Sequence, residues 1–312
     1  MIRTLWIPVL LLVSIAVGTF ADQPADRQPL MAGGYRVMSA DFHLHPGLGG
    51  GGSLTPWGLV TEAQRQDLDV IAITGHNTTW DGRVARAFSH LVDGPVVLVG
   101  EEVTSRTQDL IAVGIQNTVS PFLSLREQID AIHAQGGVAI AAHPGGRYQE
   151  PYRDVMQLLD GTEACHPMIY GRSAFSADQL ADFAARTSAT PIGSSDFHWS
   201  GRVGMCRTFL FVDEGEANER GVLAAIRAHR TVVYGREGRA FGDPALVRLA
   251  DEAGLREVAA LYAHDRGGLL DWVSRITADI ALIGIALAMK SVASRRAAAR
   301  PGYGPRGPVR VP

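Results

Sequence analysis

The chain has 312 residues, 46% of them hydrophobic and 20% charged, with a formal net charge of −3. This composition excludes a disordered polypeptide, and the length suffices for one large domain or two small ones. The nearly balanced charge gives no general reason to expect nucleic acid or an acidic membrane as partner.

The first predicted element is apolar. Arg3 precedes an apolar run over 5–17, and Thr19 and Ala21 then stand as small residues ahead of Asp22. Residues 1–21 therefore have the layout of a secretory signal peptide, with an uncleaved N-terminal anchor as the alternative. Either reading predicts export, to the periplasm or another extracytoplasmic location, with anchoring at the inner membrane left open.

From 35 to 240 short apolar runs alternate with helical segments. The runs cover 37–42, 70–74, 96–99, 110–114, 138–142, 190–193 and 208–212. The helices cover 56–66, 83–91, 125–135, 152–159, 177–186 and 219–228. Thr55-Pro56, Ser124 and Ser176 supply helix starts. Gly136-Gly137 and Asp160-Gly161 close helices. This alternation predicts one domain with a mostly parallel, helix-covered sheet. No internal repeat interrupts it. The two cysteines, Cys165 and Cys206, are too few for a disulfide framework; one bridge, a ligand role and plain packing all remain open.

Residues 241–268 read as a connecting helical segment. In 269–294, an apolar stretch over 280–289 precedes Lys290, Arg295, Arg296 and Arg300, while Asp271, Arg275 and Asp279 interrupt it. This reads either as a last membrane helix with a cytoplasmic basic flank or as an amphipathic helix on a membrane or on the barrel. Residues 295–312 form a basic, Pro/Gly-rich tail expected to be disordered.

Chemistry gathers where the apolar runs end. Asp41-Phe42-His43-Leu44-His45 places two imidazoles two residues apart at a strand end, so both point the same way. His76 follows a five-residue run, Glu101-Glu102 another, and His143-Pro144 a third. Asp196 and His198 repeat the two-residue spacing, and Asp196 can serve as ligand or as general base. In β/α barrels the carboxyl ends of the strands form the catalytic face. Nitrogen and oxygen donors without thiolates suit Zn, Mn or Fe, and so many of them suit two or three divalent ions. His90, His133 and His229 fall in helical patterns and read as surface or packing residues, and His264 lies outside the motifs.

The ordered segments DFHLH, DVIAITGHNT, VGEEVTS, GGVAIAAHPGG and PIGSSDFH resemble the PHP (polymerase and histidinol phosphatase) superfamily of metal hydrolases. The resemblance runs from about Ser39 to His198, more loosely to Gly235. It implies an α/β fold of the distorted (β/α)₇ barrel type, with the terminal hydrophobic segments outside the barrel. It also implies that His43, His45, His76, Glu102, His143, Asp196 and His198 are metal ligands. Glu102 is preferred to Glu101 because the family carries a Gly-x-Glu pattern there. Glu163 and His166 sit where many members carry Glu and then Asn, and are expected to line the site at most. Arg147 resembles a phosphate-gripping arginine and, with Asp196 and His198, forms the expected catalytic group. Gly51 and Gly75 stand where the family has carboxylates, so a third metal is absent or weakly held unless Glu101 or Asp41 compensates.

The implied activity is hydrolysis of a small-molecule phosphate ester by metal-activated water. A carboxyl or carbamate ester or amide hydrolase is the alternative, and a degenerate, non-catalytic metal-binding domain is the second. No nucleic-acid partner is expected; membrane association through the C-terminal helix is.

Overall fold

The computed structural model describes residues 5–21, 28–47, 50–170, 176–198, 202–235, 238–262 and 269–298. Its sheet runs in the order β11-β10-β9-β2-β3-β4-β5-β6-β7-β8, with β1 paired outside that path against β2. The strands are β1 (Leu30–Ala32), β2 (Tyr35–Leu44), β3 (Val70–Ile73), β4 (Val96–Thr104), β5 (Asp109–Val113), β6 (Val138–Ala141), β7 (Gly161–Cys165), β8 (Thr190–Gly193), β9 (Thr208–Asp213), β10 (Thr231–Tyr234) and β11 (Ala240–Gly242). Backbone bonds between His45 and Phe197 and between Phe197 and His43 join the segment after β8 back to β2, so the sheet nearly closes into a barrel.

The alternation correctly predicts a helix-covered α/β sheet, and the resemblance its near closure into a barrel, but neither gives the strand directions. Parallel pairing holds for β2–β3, β3–β4, β6–β7 and β7–β8. Antiparallel pairing holds for β4–β5, β5–β6, β2–β9, β9–β10 and β10–β11. The expected mostly parallel sheet is therefore corrected. Only a short connection separates β4 from β5, too short for a helical crossover, so the chain must reverse there.

Helices α2 (Pro56–Arg65), α3 (Trp80–Leu91), α4 (Leu125–Ala134), α5 (Ala177–Arg186) and α6 (Glu219–Arg227) pack on the sheet. Thr55 caps α2, and Ser124 with Glu127 and Ser176 with Gln179 form reciprocal capping boxes on α4 and α5. Each such cap contributes about 1 kcal/mol. The helix expected over 152–159 is absent: short 3-10 turns cover Gly146–Tyr152 and Met156–Leu158 instead, with Pro151 inside the first. Beyond the barrel lie α7 (Pro244–Glu252) and α8 (Leu255–Tyr262), which pack with β9 and β10.

The barrel interior is filled by Met38, Ala40, Phe42, Val70, Ala72, Leu98, Ile140 and Ile192, closed at one end by Val222 and Ile226 of α6. Burying each large side chain of this kind contributes about 1.5–3 kcal/mol. Leu44 belongs instead to the layer beneath α2 and α3, with Ile71 and Ile73. This change of face follows from a register shift between Asp41 and Leu44, where β2 carries one residue more than β3. Such a bulge re-aims the side chains beyond it, and His43 and His45 lie on that stretch.

Cys165 and Cys206 are joined in a disulfide, with 5.4 Å between their α-carbons. The bridge ties the end of β7 to the start of β9 across a sequence separation of 41. Chain-entropy arguments give a loop of this size about 4 kcal/mol. Replacing Cys165 with serine is expected to lower stability by about 2–4 kcal/mol, read from urea unfolding, with a steeper slope as the uncrosslinked denatured chain exposes more surface.

Two helices lie outside the barrel, α1 (Trp6–Ala21) and α9 (Leu269–Ala298). They pack antiparallel on each other, with Ser14 against Ser274 and Trp6 against Gly284. No described helix is long and apolar enough to cross a membrane. The tail expected to be disordered over 295–312 begins inside α9, which runs to Ala298; its residues 299–312, and His264, lie outside the described residues.

Candidate metal centre

All seven residues expected as ligands meet at one mouth of the barrel. At the centre, the Nε2 atoms of His43 and His45 face each other at 2.9 Å. Asp196 Oδ1 lies 3.3 Å from the first and 3.2 Å from the second. Glu102 Oε1 is 3.4 Å from His43 Nε2, and its Oε2 is 3.4 Å from His45 Nε2. Glu102 also meets His76 Nδ1 at 3.0 Å and His143 Nε2 at 3.2 Å. The rings of His45 and His198 stack with centroids 3.9 Å apart.

The outward-facing ring nitrogens are already committed. His45 Nδ1 donates to the Gly50 carbonyl at 2.9 Å, and His198 Nδ1 to the Asp196 carbonyl at 3.0 Å. His43 Nδ1 lies 3.0 Å from Glu163 Oε1 and donates to it. An acceptor on Nδ1 fixes the tautomer that leaves a lone pair on Nε2. With both Nδ1 atoms donating, the two central Nε2 atoms share one proton at 2.9 Å, and loss of that proton to a cation frees two lone pairs among carboxylates. Asp196 Oδ1 and His166 Nε2 are buried without a hydrogen-bonding partner. A cation satisfies all of these atoms at once, so the donor set fits a divalent metal.

The electrostatics agree. Burial works against a charge on His43, but Asp196, Glu102 and Glu163 raise its pKa well above the usual histidine value. Burial likewise opposes ionisation of Glu102, yet the His43 charge and hydrogen bonds from His143, His43 and His76 hold it well below the carboxylate range. Asp196 is also held low despite its burial, by His43 and His166 above all. The site demands positive charge.

Among the described residues four groups could each hold an ion, the first three linked through His45 and His43: His45, His76 and His198; His43, His45 and Asp196; His43, Glu163 and His166; and Glu102, Asp109 and His143. Three members extend the expected ligand set. Glu163 is fully buried, and His166 lies 3.2 Å from Asp196 Oδ2. Asp109 is the residue that the strand-end pattern misses. It opens β5, and because β5 runs antiparallel to β4, its start lies at the same mouth as the end of β4.

Backbone geometry marks the same spot. Asn77, His143 and Asp196 adopt positive φ values of 51°, 31° and 45°. Such conformations are uncommon outside glycine and gather at functional sites.

The two glycines differ in meaning. A side chain at Gly51 would begin 3.1 Å from His76 and 3.5 Å from His198, so the missing carboxylate would have joined the all-imidazole group. A side chain at Gly75 would begin 2.3 Å from Asp81 Oδ2, so Asp81 fills that space. Neither candidate substitute reaches the centre. Asp41 accepts backbone N–H groups from Ser195 and Gly204. Glu101 accepts from the Val119 N–H on the other face of β4.

Asp81 is fully buried with Oδ2 unpartnered, and burial raises its pKa to about 6. A carboxyl raised on folding contributes stability that is present below its unfolded value and lost as pH climbs through its folded value. Asp81→Asn removes this titration. The variant is expected to gain stability relative to the parent between about pH 4.5 and about pH 7.5, read from urea unfolding at both.

Arg147 stands at the rim, exposed, with its guanidinium 5.1 Å from the Tyr148 ring, whose edge contacts His143. Beside His76 opens a groove of 780 Å³ lined by Asn77, Thr104, Arg106, Gln108, Phe122 and neighbours.

The model of the PHP-associated family matches residues 177–231. An uncharacterized protein of Methanocaldococcus jannaschii is 30% identical over 117 residues, covering 34% of this chain and 68% of that one. The PHP-associated match supports placing the chain in the PHP superfamily. The fold agrees with a solved two-domain protein of Bacteroides vulgatus described as containing a predicted PHP-like metal-dependent phosphoesterase. That structure has a TM-score of 0.58 at 19% identity, over 74% of each chain. Two further structures align at a TM-score of 0.40. One is a Bifidobacterium adolescentis protein described as a metal-dependent phosphoesterase (20% identity, 55% of this chain, 89% of that one). The other is a Chromobacterium violaceum amidohydrolase (16% identity, 70% and 96%).

Proposed function

We propose that this PHP-family chain is a metal-dependent phosphoesterase. The observation that carries the reading is the 2.9 Å approach of the His43 and His45 Nε2 atoms beside the carboxylates of Glu102 and Asp196. His43, His45, His76, Glu102, His143, Asp196 and His198 would hold the metal ions, with Asp109 and His166 at the edges. Zn, Mn or Fe suits these donors, and the overlapping groups support two or three ions. Bound there, such ions supply Lewis-acid polarisation of phosphoryl oxygens and activate water at neutral pH.

The protein's own groups do the rest. Glu163 holds the His43 ring in register through Nδ1 and also accepts the His143 backbone N–H. Asp196 keeps its negative charge at the centre. His198, 36% exposed on its side chain, and Asp196, 18% exposed, are the groups a substrate meets on entry. Arg147 offers a planar pair of donors to the non-reacting oxygens of an anionic ester. The groove beside His76 receives the alcohol portion.

The test is a parallel assay on nitrophenyl phosphate and nitrophenyl acetate, with Mn and Zn supplied separately to metal-stripped protein. Phosphate ester hydrolysis that requires the metal supports the proposal. Hydrolysis of the acetate alone moves the electrophile to a carboxyl carbon. Tight metal binding with no turnover of either ester identifies a non-catalytic domain.

A further inference from the structure

We propose that α1 and α9 form one helical pair seated in a lipid bilayer, with acyl chains as the occupant of its outer surface and α1 retained in the mature chain. The pair is ordered opposite to a hairpin built for water. Its inner face carries hydroxyls and a glycine: Ser14 Oγ donates to the Ser274 carbonyl at 2.8 Å, and Ser274 Oγ donates to the Ser14 carbonyl at 2.9 Å. A β-carbon on Gly284 would begin 2.3 Å from the Trp6 ring, so the backbones approach closely there. Small residues at the contact and hydroxyls hydrogen-bonded across it are how helices associate where lipid removes the hydrophobic drive.

Among the described side chains, those exposed from Trp6 to Ile15 and from Val273 to Met289 are apolar. Val9, Leu12 and Ile15 on α1 and Ile276, Ile283 and Leu287 on α9 are exposed, Leu12 by 66% and Leu287 by 62%. Helix α1 carries no charged residue on any side. A helix apolar all round needs a protein core or a membrane around it, and contiguous apolar surface of this extent marks an interaction site. Neither helix alone is long and apolar enough to cross a membrane; the joint surface of the pair is what seats it.

Two further observations select lipid. Because Trp6 opposes Gly284, Lys290 lies at the end of the pair where α1 begins, and in the sequence Arg295 and Arg296 follow it while Arg3 precedes α1. A basic end matches anionic headgroups. A Cys165–Cys206 disulfide agrees with a barrel held in an oxidising compartment on the far side of a membrane. The proposal does not depend on the phosphoesterase reading, because its readout is partition rather than turnover.

The test expresses the full chain, washes isolated membranes with alkaline carbonate, and takes the intact mass. Retention in the pellet until detergent is added, with residues 1–21 still attached, is the expected result. Ile280→Glu with Ile283→Glu changes two exposed side chains outside the barrel and is expected to move the protein to the supernatant by about tenfold or more, with circular dichroism of the barrel unchanged. The proposal is overturned by a mass lacking residues 1–21, by a full-length chain in the carbonate supernatant (as monomers or as self-associated copies), or by a double variant that stays in the pellet.

Discussion

Asp196→Ala is expected to remove metal-dependent ester hydrolysis by more than about a hundredfold, since even outer partners of metal ligands cost up to that much. Asp196 Oδ1 is the one carboxylate oxygen within 3.3 Å of both central Nε2 atoms, and it has no hydrogen-bonding partner. Its loss leaves two imidazole lone pairs with only Glu102 to balance a cation. Because Asp196 has a φ of 45°, alanine is mildly strained there, so Asp196→Asn is the companion variant. Asparagine tolerates that conformation and keeps the shape, but it is neutral. Both variants are expected to fold, by unchanged circular dichroism, and both to lose turnover. Full activity in the asparagine variant would place the chemistry elsewhere.

The second large effect belongs to Glu163. Its two oxygens serve His43 Nδ1 and the His143 backbone N–H, and it is fully buried. Burial opposes its charge, while His166 and His43 hold its pKa below the usual value. An anion behind an imidazole raises the basicity of the ring and fixes its tautomer. Glu163→Gln keeps an acceptor for one partner and removes the charge. Metal affinity is expected to fall by about 10–100-fold with the unfolding midpoint of the metal-free protein little changed. Titration of metal-stripped protein measures it, and an unchanged affinity would reduce Glu163 to a cap for the His143 N–H.

The sequence places much of this within reach, and the reasons for the gaps are physical. Alternating apolar runs identify most of the barrel strands because interior and helix-facing positions must both be buried, as Val70 to Ile73 are. Strand direction is invisible to that pattern, since an antiparallel and a parallel run bury the same residues. The antiparallel course of β5 therefore went unread, and with it Asp109, a polar residue at the start of a run rather than its end. The 3-10 turns over 146–158 have a local origin: Pro151 interrupts an apolar spacing that fits a helix. Asp81 carries no signal, because its burial follows only from the space that Gly75 leaves. Glu163 was visible as a carboxylate inside a run, yet its reach to His43 across 120 residues of sequence is a product of closure.

The account rests on cations between facing imidazoles, and anomalous diffraction from crystals of the Mn- or Zn-loaded protein tests it most directly. The predicted result is a metal peak shared by His43 Nε2, His45 Nε2 and Asp196, with a second ion held by a neighbouring group. Crystals grown in excess metal that show no peak there, with the two rings still facing each other, would contradict it.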